Sequence, residues 1–390
     1  MIPVAQALDD LFALCRTTQT EDIPLRLAAG RVLARDVAAT RTQPPFAASS
    51  MDGYALRRAE VEPDAMFKVI GEAAAGHRFE GTVGAGQAVR IFTGAPLPDG
   101  ADFIVIQEDT TRRGDLITLG HSVGTKDNIR PAGGDFTKGQ KITAPRRLRP
   151  ADIALLAAMN IARVPVYRKP VVAIMATGDE LVQPGETPGP DQIIASNTYG
   201  LAALLEAEGA STRLIPIARD TSASLKRAFE LASDADLIIT IGGASVGDHD
   251  LVAPVAAELG MRQSFYKVAM RPGKPLMAGQ LGDAVMVGLP GNPVSAMVCG
   301  TVFVAPMIRA MLGLGRAAAP RVSIPLAAAI PANGPREHYQ RAVIANGAVT
   351  LEPRQDSSLL SVLSQANALL VRPPHDPEHP AGAIVEVIKL

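Results

Sequence analysis

The sequence predicts a multidomain protein of the α/β plus β class, with a mostly parallel sheet inside a central αβα sandwich. Between residues 169 and 316, short β-branched runs alternate with helical segments, the pattern of right-handed βαβ units. Before and after this region, short strand-like runs are separated by turns rich in glycine and proline, which indicates a β-rich insert domain and a small C-terminal β domain. At 390 residues, the chain also exceeds one ordinary domain.

These changes of pattern give the predicted domains. They are a helical linking domain (1–42 with 144–168), the β-rich insert domain (43–143), the α/β domain (169–316) and the C-terminal β domain (317–390).

The elements follow from hydrophobic periodicity. In chain order, helical spacing predicts helices over 4–16, 151–160, 197–208, 225–232, 251–259 and 296–311. Apolar and alternating runs predict strands over 67–70, 88–92, 103–105, 116–119, 171–176, 213–217, 237–241, 265–270, 284–288, 321–327, 341–344, 368–371 and 383–388. The stretch 44–55 is interpreted as a linker, because two prolines exclude helix and Asp52-Gly53 is a turn signal.

Composition excludes several function classes. The net charge is −1, tryptophan is absent and aromatic residues make up only 4%, so neither nucleic-acid nor membrane-surface binding is expected. Cys15 and Cys299 lie far apart without metal-ligand spacing, which favours a reduced cytoplasmic protein. We expect no signal peptide, because no basic segment begins the chain, and no membrane span, because no apolar run reaches 18 residues.

The ends of the predicted parallel strands carry the most informative residues. The strand 237–241 is followed by Gly242, Gly243 and Ser245 before a helix, an arrangement in which backbone N–H groups can bind phosphate. The carboxyl ends of parallel strands share one edge of the sheet, so other strand-end residues join this loop. They are the acids Glu180, Asp220, Asp248 and Asp250, and the cations Arg271 and Lys274. This set favours a phosphate-plus-metal site over a βα turn without ligand or solvated loop ends.

Elsewhere the residues alone favour simpler interpretations. In the β-rich insert, Thr93 follows a strand, and Arg130 with Asp135 is interpreted as a surface ion pair. The histidines, including His249, His338, His375 and His379, are interpreted as ordinary polar residues. Arg341, Ser357 and Ser358 could face solvent.

Seven motifs in order resemble those of the MoeA/gephyrin E-domain family of molybdopterin molybdenumtransferases. They begin at Pro44, Phe92, Asn128, Ala176, Gly242, Arg271 and Gly288, and read PPFAASSMDGYA, FTGAP, NIRPAG, ATGDEL, GGASVG, RPGKP and GLPGNPVS. The resemblance runs from the first helix to the C-terminal β domain. It implies an elongated four-domain subunit and a homodimer, whose site is shared between the α/β domain of one chain and the β insert of the other.

The resemblance also implies the chemistry. The substrates would be adenylylated molybdopterin and molybdate, the cofactor Mg²⁺, and the products molybdenum cofactor and AMP. The implied partners are a molybdopterin adenylyltransferase and molybdoenzyme apoproteins or chaperones. The implied catalytic residues are Asp250, Glu180, Asp220, Lys267, Asp52 and Asp135, with Glu180 and Asp250 holding Mg²⁺. The implied substrate-binding residues are Gly242, Gly243, Ser245, Thr93, Arg130, Pro290, Gly291 and Asn292, and the implied molybdate-binding residues are Arg271, Lys274, Ser295, Arg341 and Ser357.

The chain departs from the family pattern at three positions. Ala47 and Ala48 replace an aspartate and an asparagine, and Arg271 replaces a lysine. Arginine keeps the charge but presents its donors as a fork. Two other hypotheses stay open: a catalytically weakened carrier or scaffold of the molybdopterin nucleotide, and a related adenylyltransferase.

Overall fold

The computed structural model describes residues 1–243 and 251–390. The chain divides into two compact units, and each is described by itself. The first unit comprises Met1–Glu21, Gly30–Ala34 and Val166–Leu390, and the second comprises Asp22–Ala29 and Arg35–Pro165. This division does not test the four predicted domain bounds.

A six-stranded sheet lies at the centre of the first unit. In spatial order its strands are Ser211–Leu214, Val171–Ala176, Leu237–Ile241, Ala284–Leu289, Met277–Leu281 and Arg262–Tyr266. The first four are mutually parallel, and the last two form an antiparallel extension at one edge. Because Met277–Leu281 is antiparallel to both of its neighbours, Arg262–Tyr266 runs in the same direction as the four parallel strands and ends at the same edge of the sheet.

Helices cover both faces of this sheet, because its strands are apolar on both sides. In the strand Val171–Ala176, Val172 and Ile174 belong to one core, and Ala173 and Met175 belong to the other. The helices packed in the first core are Val4–Leu14, Asn197–Ala207, Pro293–Cys299 and Ala305–Met311. The helices packed in the second core are Ser222–Leu231 and Val252–Glu258. The predicted αβα sandwich is therefore confirmed.

The longest apolar helix is a core element. A π-helical turn, Gly300–Val304, joins Pro293–Cys299 to Ala305–Met311. Among the described residues, the helix Pro293–Met311 is the one long and apolar enough to span a membrane. However, 83% of its 18-residue apolar window is buried inside the protein, as expected for a helix that fills a core.

A C-terminal β sheet packs on the same unit. Its strands in spatial order are Met270–Arg271, Glu337–Ala345, Ala368–Arg372, Ile384–Lys389 and Val322–Pro325, with Ala348–Leu351 paired to Glu337–Ala345. One face contributes Tyr339, Leu369 and Val371 to the first helical core, and the other face has a core of its own. The helix Leu360–Gln365 follows the loop after Ala348–Leu351.

The second unit is built on a six-stranded β sheet. In spatial order its strands are Phe103–Ile106, Gly53–Leu56, Gln87–Ile91, Met66–Ala73, Leu116–Leu119 and Thr110–Arg113. Its helix is Pro150–Ala158, and two short ladders pair Ala48–Ser49 with Ile129–Arg130 and Val37–Ala38 with Lys141–Ile142. The remaining short strands of the chain are Thr20–Pro24, Val32–Leu33, Arg146–Arg147, Arg163–Tyr167, and the pair Leu181–Val182 and Ile193–Ile194.

The linker interpretation of residues 44–55 was wrong. Gly53–Leu56 is a fully buried strand inside the β sheet of the second unit. Gly53 serves close packing there rather than a turn, because a Cβ at this position would overlap the backbone carbonyl of Val105 on the neighbouring strand.

Candidate active site

A cavity of about 660 Å³ lies at the carboxyl edge of the central sheet in the first unit. Its lining includes Thr177, Glu180, Asn197, Gly242, Gly243, Pro290, Gly291, Asn292 and Ser358. The three strands that end here are Val171–Ala176, Leu237–Ile241 and Ala284–Leu289. Three of the predicted strand-end loops therefore meet in one cavity, of a size that suits a small-molecule ligand.

Glycines let two of these loops approach backbone to backbone. The Gly242 N–H donates to the Leu289 carbonyl at 3.1 Å, and Gly242 has a φ of +90°. A Cβ on Gly242 would lie 2.9 Å from the carbonyl oxygen of Thr177. Both the left-handed conformation and the lack of space require glycine here.

A hydroxyl and two carboxylates join the end of the strand Val171–Ala176 to the loop that follows the strand Ser211–Leu214. Thr177 Oγ1 donates to Asp220 Oδ1 at 2.9 Å, and the Asp220 N–H donates to Asp179 Oδ1 at 3.3 Å. The Arg219 guanidinium donates to the carbonyls of Asp179 and Leu181 at 2.9 and 3.3 Å. Asp220 is thus held beside the cavity by Thr177. Sequence reasoning missed the role of Thr177, although a hydroxyl directly after a strand was the available signal.

Glu180 is the described carboxylate that borders the cavity. Its side chain folds over Gly178, where a Cβ would collide with the carboxylate. In the part of the chain that the structure describes, no three His, Cys, Asp or Glu side chains come together as a metal site. Ser245 and Asp250, with Asp248 and His249, lie outside the described residues. Mg²⁺ commonly uses only one or two protein carboxylates together with substrate phosphates, so the oxygen donors at this edge fit it.

The loop before the long helix forms another wall. The Asn197 side-chain amide donates to the Gly291 carbonyl at 2.7 Å, which joins two helix starts across the cavity. Asn292 is the N-cap residue of Pro293–Cys299, and Pro290 before it is buried. The predicted binding residues Pro290, Gly291 and Asn292 therefore lie together with Gly242 and Gly243.

The cationic loop is exposed beside this edge. Arg271 and Lys274 are both exposed, and the loop contributes Pro275 to the described lining of the cavity. The Lys267 ammonium lies 5.1 Å from the centre of the Tyr266 ring, a cation–π contact. Of the residues that the structure describes around the cavity, none of these three cations is a lining residue.

The other predicted molybdate residues are divided between interior and cavity. Arg341 is only 2% exposed, and burial lowers the pKa of its guanidinium. The expectation that Arg341 could face solvent was therefore wrong. Ser295 is also buried, in the first turn of Pro293–Cys299. Ser357 uses its carbonyl to accept from Val294 N–H at 3.0 Å, whereas the next residue, Ser358, lines the cavity.

The second unit holds the remaining predicted residues. Asp52 Oδ1 accepts from both the N–H and the Oγ1 of Thr93 at 2.8 Å, and these bonds hold the pKa of Asp52 below its usual range. Arg130 and Asp135 are both exposed, and no ion pair joins them among the described residues, so the surface-pair interpretation was wrong.

Comparisons with known proteins extend this picture along the chain. Residues 2–160 match the MoeA N-terminal region (domain I and II), residues 173–310 match a probable molybdopterin binding domain, and residues 323–390 match the MoeA C-terminal region (domain IV). A Bacillus subtilis molybdopterin molybdenumtransferase is 33% identical over 99% of this chain and 94% of its own length. The chain belongs to the molybdopterin molybdenumtransferase family.

Two further comparisons agree with this membership. A molybdopterin molybdenumtransferase of Nostoc sp. is 39% identical over 76% of this chain and 70% of its own length. The crystal structure of the molybdopterin biosynthesis MoeA protein from Pyrococcus horikoshii covers 100% of both chains, with a TM-score of 0.85 and 28% identity. The chain is therefore an enzyme of a family that acts in molybdenum cofactor biosynthesis. The described residues that line its cavity, except Ser358, lie in the region matched as a probable molybdopterin binding domain.

Proposed function

We propose that this molybdopterin molybdenumtransferase inserts molybdate into adenylylated molybdopterin and releases AMP in a Mg²⁺-dependent reaction. The observation that carries the proposal is the cavity at the carboxyl edge of the sheet, where glycine loops, Glu180 and the Thr177–Asp220 pair meet. Its volume of about 660 Å³ and its glycine-lined wall suit a phosphate-bearing ligand.

In this proposal, one set of residues binds the pyrophosphate of the nucleotide and another set binds the molybdate dianion. Gly242, Gly243 and Gly291 allow close approach of the pyrophosphate to the backbone, and Asn197 fixes the Gly291 loop. Glu180, together with Asp250, would hold Mg²⁺, which when bound neutralises charge on the pyrophosphate. Arg271, Lys274 and Arg341 supply positive charge for the molybdate dianion.

The proposal includes an assembly and a location. We infer a cytoplasmic homodimer in which Asp52, Thr93, Arg130 and Asp135 of one chain serve the site of the other. Adenylyltransferases that supply the nucleotide, and apoproteins or chaperones that receive the product, are the proposed partners.

The test incubates purified protein with adenylylated molybdopterin, MgCl₂ and molybdate, and measures AMP by chromatography. We expect AMP only when all three are present, and strongly reduced release from Glu180→Gln. Tight nucleotide binding without AMP release would support the carrier hypothesis that Ala47 and Ala48 raised. AMP release independent of molybdate would contradict the proposed transfer.

A further inference from the structure

The side chain of Gln355 forms hydrogen bonds with both the backbone and the guanidinium of Arg341, a residue of the C-terminal sheet. Gln355 Oε1 accepts from the Arg341 backbone N–H at 3.0 Å and from Arg341 Nε at 3.3 Å. Its Nε2 donates to the carbonyls of Arg341 at 2.9 Å and Glu352 at 2.7 Å. One amide therefore satisfies the backbone of Arg341 and restricts the rotation of its side chain.

These hydrogen bonds leave the Arg341 charge without a direct carboxylate partner. Arg341 Nη1 donates to the Asp356 carbonyl at 2.8 Å, so its described partners are a neutral amide and a neutral carbonyl. The residue is 2% exposed. The carboxylates of Asp356 and Glu352 act on the Arg341 charge through space but form no direct ion pair with it. A buried guanidinium that is oriented in this way can still bind an anion through its remaining donors.

The segment 355–358 links this arginine to the cavity. The Asp356 carboxylate accepts from the N–H and the Oγ of Ser358 at 2.8 and 2.6 Å, and Ser358 lines the cavity. The Ser357 carbonyl accepts from Val294 N–H, next to the buried Ser295. Gln355 thus stands at the start of a segment that bonds in turn to Arg341, to the long helix and to the cavity wall.

We propose that Gln355 is a positioning residue for the oxyanion substrate, and that it acts by holding the Arg341 guanidinium and the segment 355–358 in their binding geometry. The inference rests on the proposed function, in which Arg341 binds molybdate. Glutamine suits this role because it accepts from Arg341 without neutralising it, as a glutamate would.

Two variants test the role. Gln355→Met keeps the length of the side chain but removes all four hydrogen bonds, and Gln355→Glu adds a charge that competes with the anion. For Gln355→Met, we expect the KM for molybdate to rise about ten- to a hundredfold, the effect of losing one charge-assisted hydrogen bond. For Gln355→Glu, we expect the KM for molybdate to rise as well, because the new carboxylate neutralises Arg341. The KM for adenylylated molybdopterin should rise by a much smaller factor, because Ser358 is the described residue of this segment that lines the cavity. Equilibrium titration with molybdate should show the same loss of affinity without turnover.

Asn367, which directly precedes the strand Ala368–Arg372, provides a matched control, because its partner Ile344 lies on the same strand as Arg341. Its side chain bonds the backbone of Ile344 in the same manner, with distances of 2.7 and 3.0 Å, but holds no arginine. Asn367→Leu should lower the Tm as Gln355→Met does while leaving the molybdate KM unchanged. Equal molybdate KM values for wild type and both Gln355 variants would overturn the inference and leave the proposed function intact. A different result would overturn only the transfer reaction: the wild type binds molybdate more tightly than the Gln355 variants but releases no AMP. If the wild type does not bind molybdate, both the inference and the proposed function are overturned.

Discussion

Replacing Gly242 by alanine tests whether the cavity depends on the close approach of two strand-end loops. Alanine at a φ of +90° costs about 1–2 kcal/mol. The new Cβ also lies 2.9 Å from the Thr177 carbonyl, a backbone atom that cannot rotate away. We therefore expect a total destabilisation of about 2–3 kcal/mol, because steric strain adds to the conformational term.

The assay is thermal unfolding followed by circular dichroism, together with the KM for adenylylated molybdopterin. Gly260 is the matched control, because it has a φ of +88° in the same unit but no atom within 4 Å of an added Cβ. Gly260→Ala should lower the Tm by roughly 2–4 °C, and Gly242→Ala by about twice as much. The KM should rise only for Gly242→Ala, since Thr177 moves against the cavity. Equal Tm and KM values for the two variants would refute the steric argument.

Three other perturbations have defined outcomes. Burial, and next the positive charge of Arg271, lower the pKa of His338 to about 4. The free energy of unfolding should therefore fall as the pH is lowered from 6.5 to 4, because in this range the imidazole is protonated in the unfolded chain but not in the folded protein. The loss is on the order of 3 kcal/mol, and urea titrations across this range should show a flatter profile for His338→Asn. Thr240→Val should raise the Tm, because the buried Thr240 hydroxyl lacks a partner in the described structure and its removal gains about 1 kcal/mol. Asp52→Asn should retain more AMP release than Asp52→Ala, because an amide oxygen still accepts from Thr93; equal losses would assign the role to the charge of Asp52 instead.

Much of the fold could be predicted because apolar periodicity is a local signal. The strand Leu237–Ile241 was predicted with its observed bounds, and Val171–Ala176 likewise. Met277–Leu281 escaped prediction, since its glycine and glutamine interrupt the apolar run, and its place depends on pairing with Ala284–Leu289. The strand predicted over 265–270 is instead Arg262–Tyr266, which pairs with the strand that was missed.

The site could be predicted only where chain geometry alone brings residues together. Parallel strands end at one edge, so Gly242 and Glu180 were expected near each other, and both line the cavity. Thr177 and Gln355 act through hydrogen bonds to residues 43 and 14 positions away, and these partners are set by tertiary packing. Ser358 lines the cavity, whereas the molybdate-binding role of its neighbour Ser357 stays a prediction.

A short parallel ladder pairs Met270–Arg271 with the start of Glu337–Ala345. The cationic loop is therefore attached to the C-terminal sheet as well as to the region of the central sheet. Arg271 is paired with His338 of the C-terminal sheet. The Lys274 carbonyl accepts a hydrogen bond from Val268 N–H, close to the end of the central-sheet strand Arg262–Tyr266. A chimaera that exchanged the C-terminal domain alone would consequently replace one anchor of this loop and keep the other. A chimaera between two relatives should therefore take residues 268–276 and residues 337–358 from the same parent.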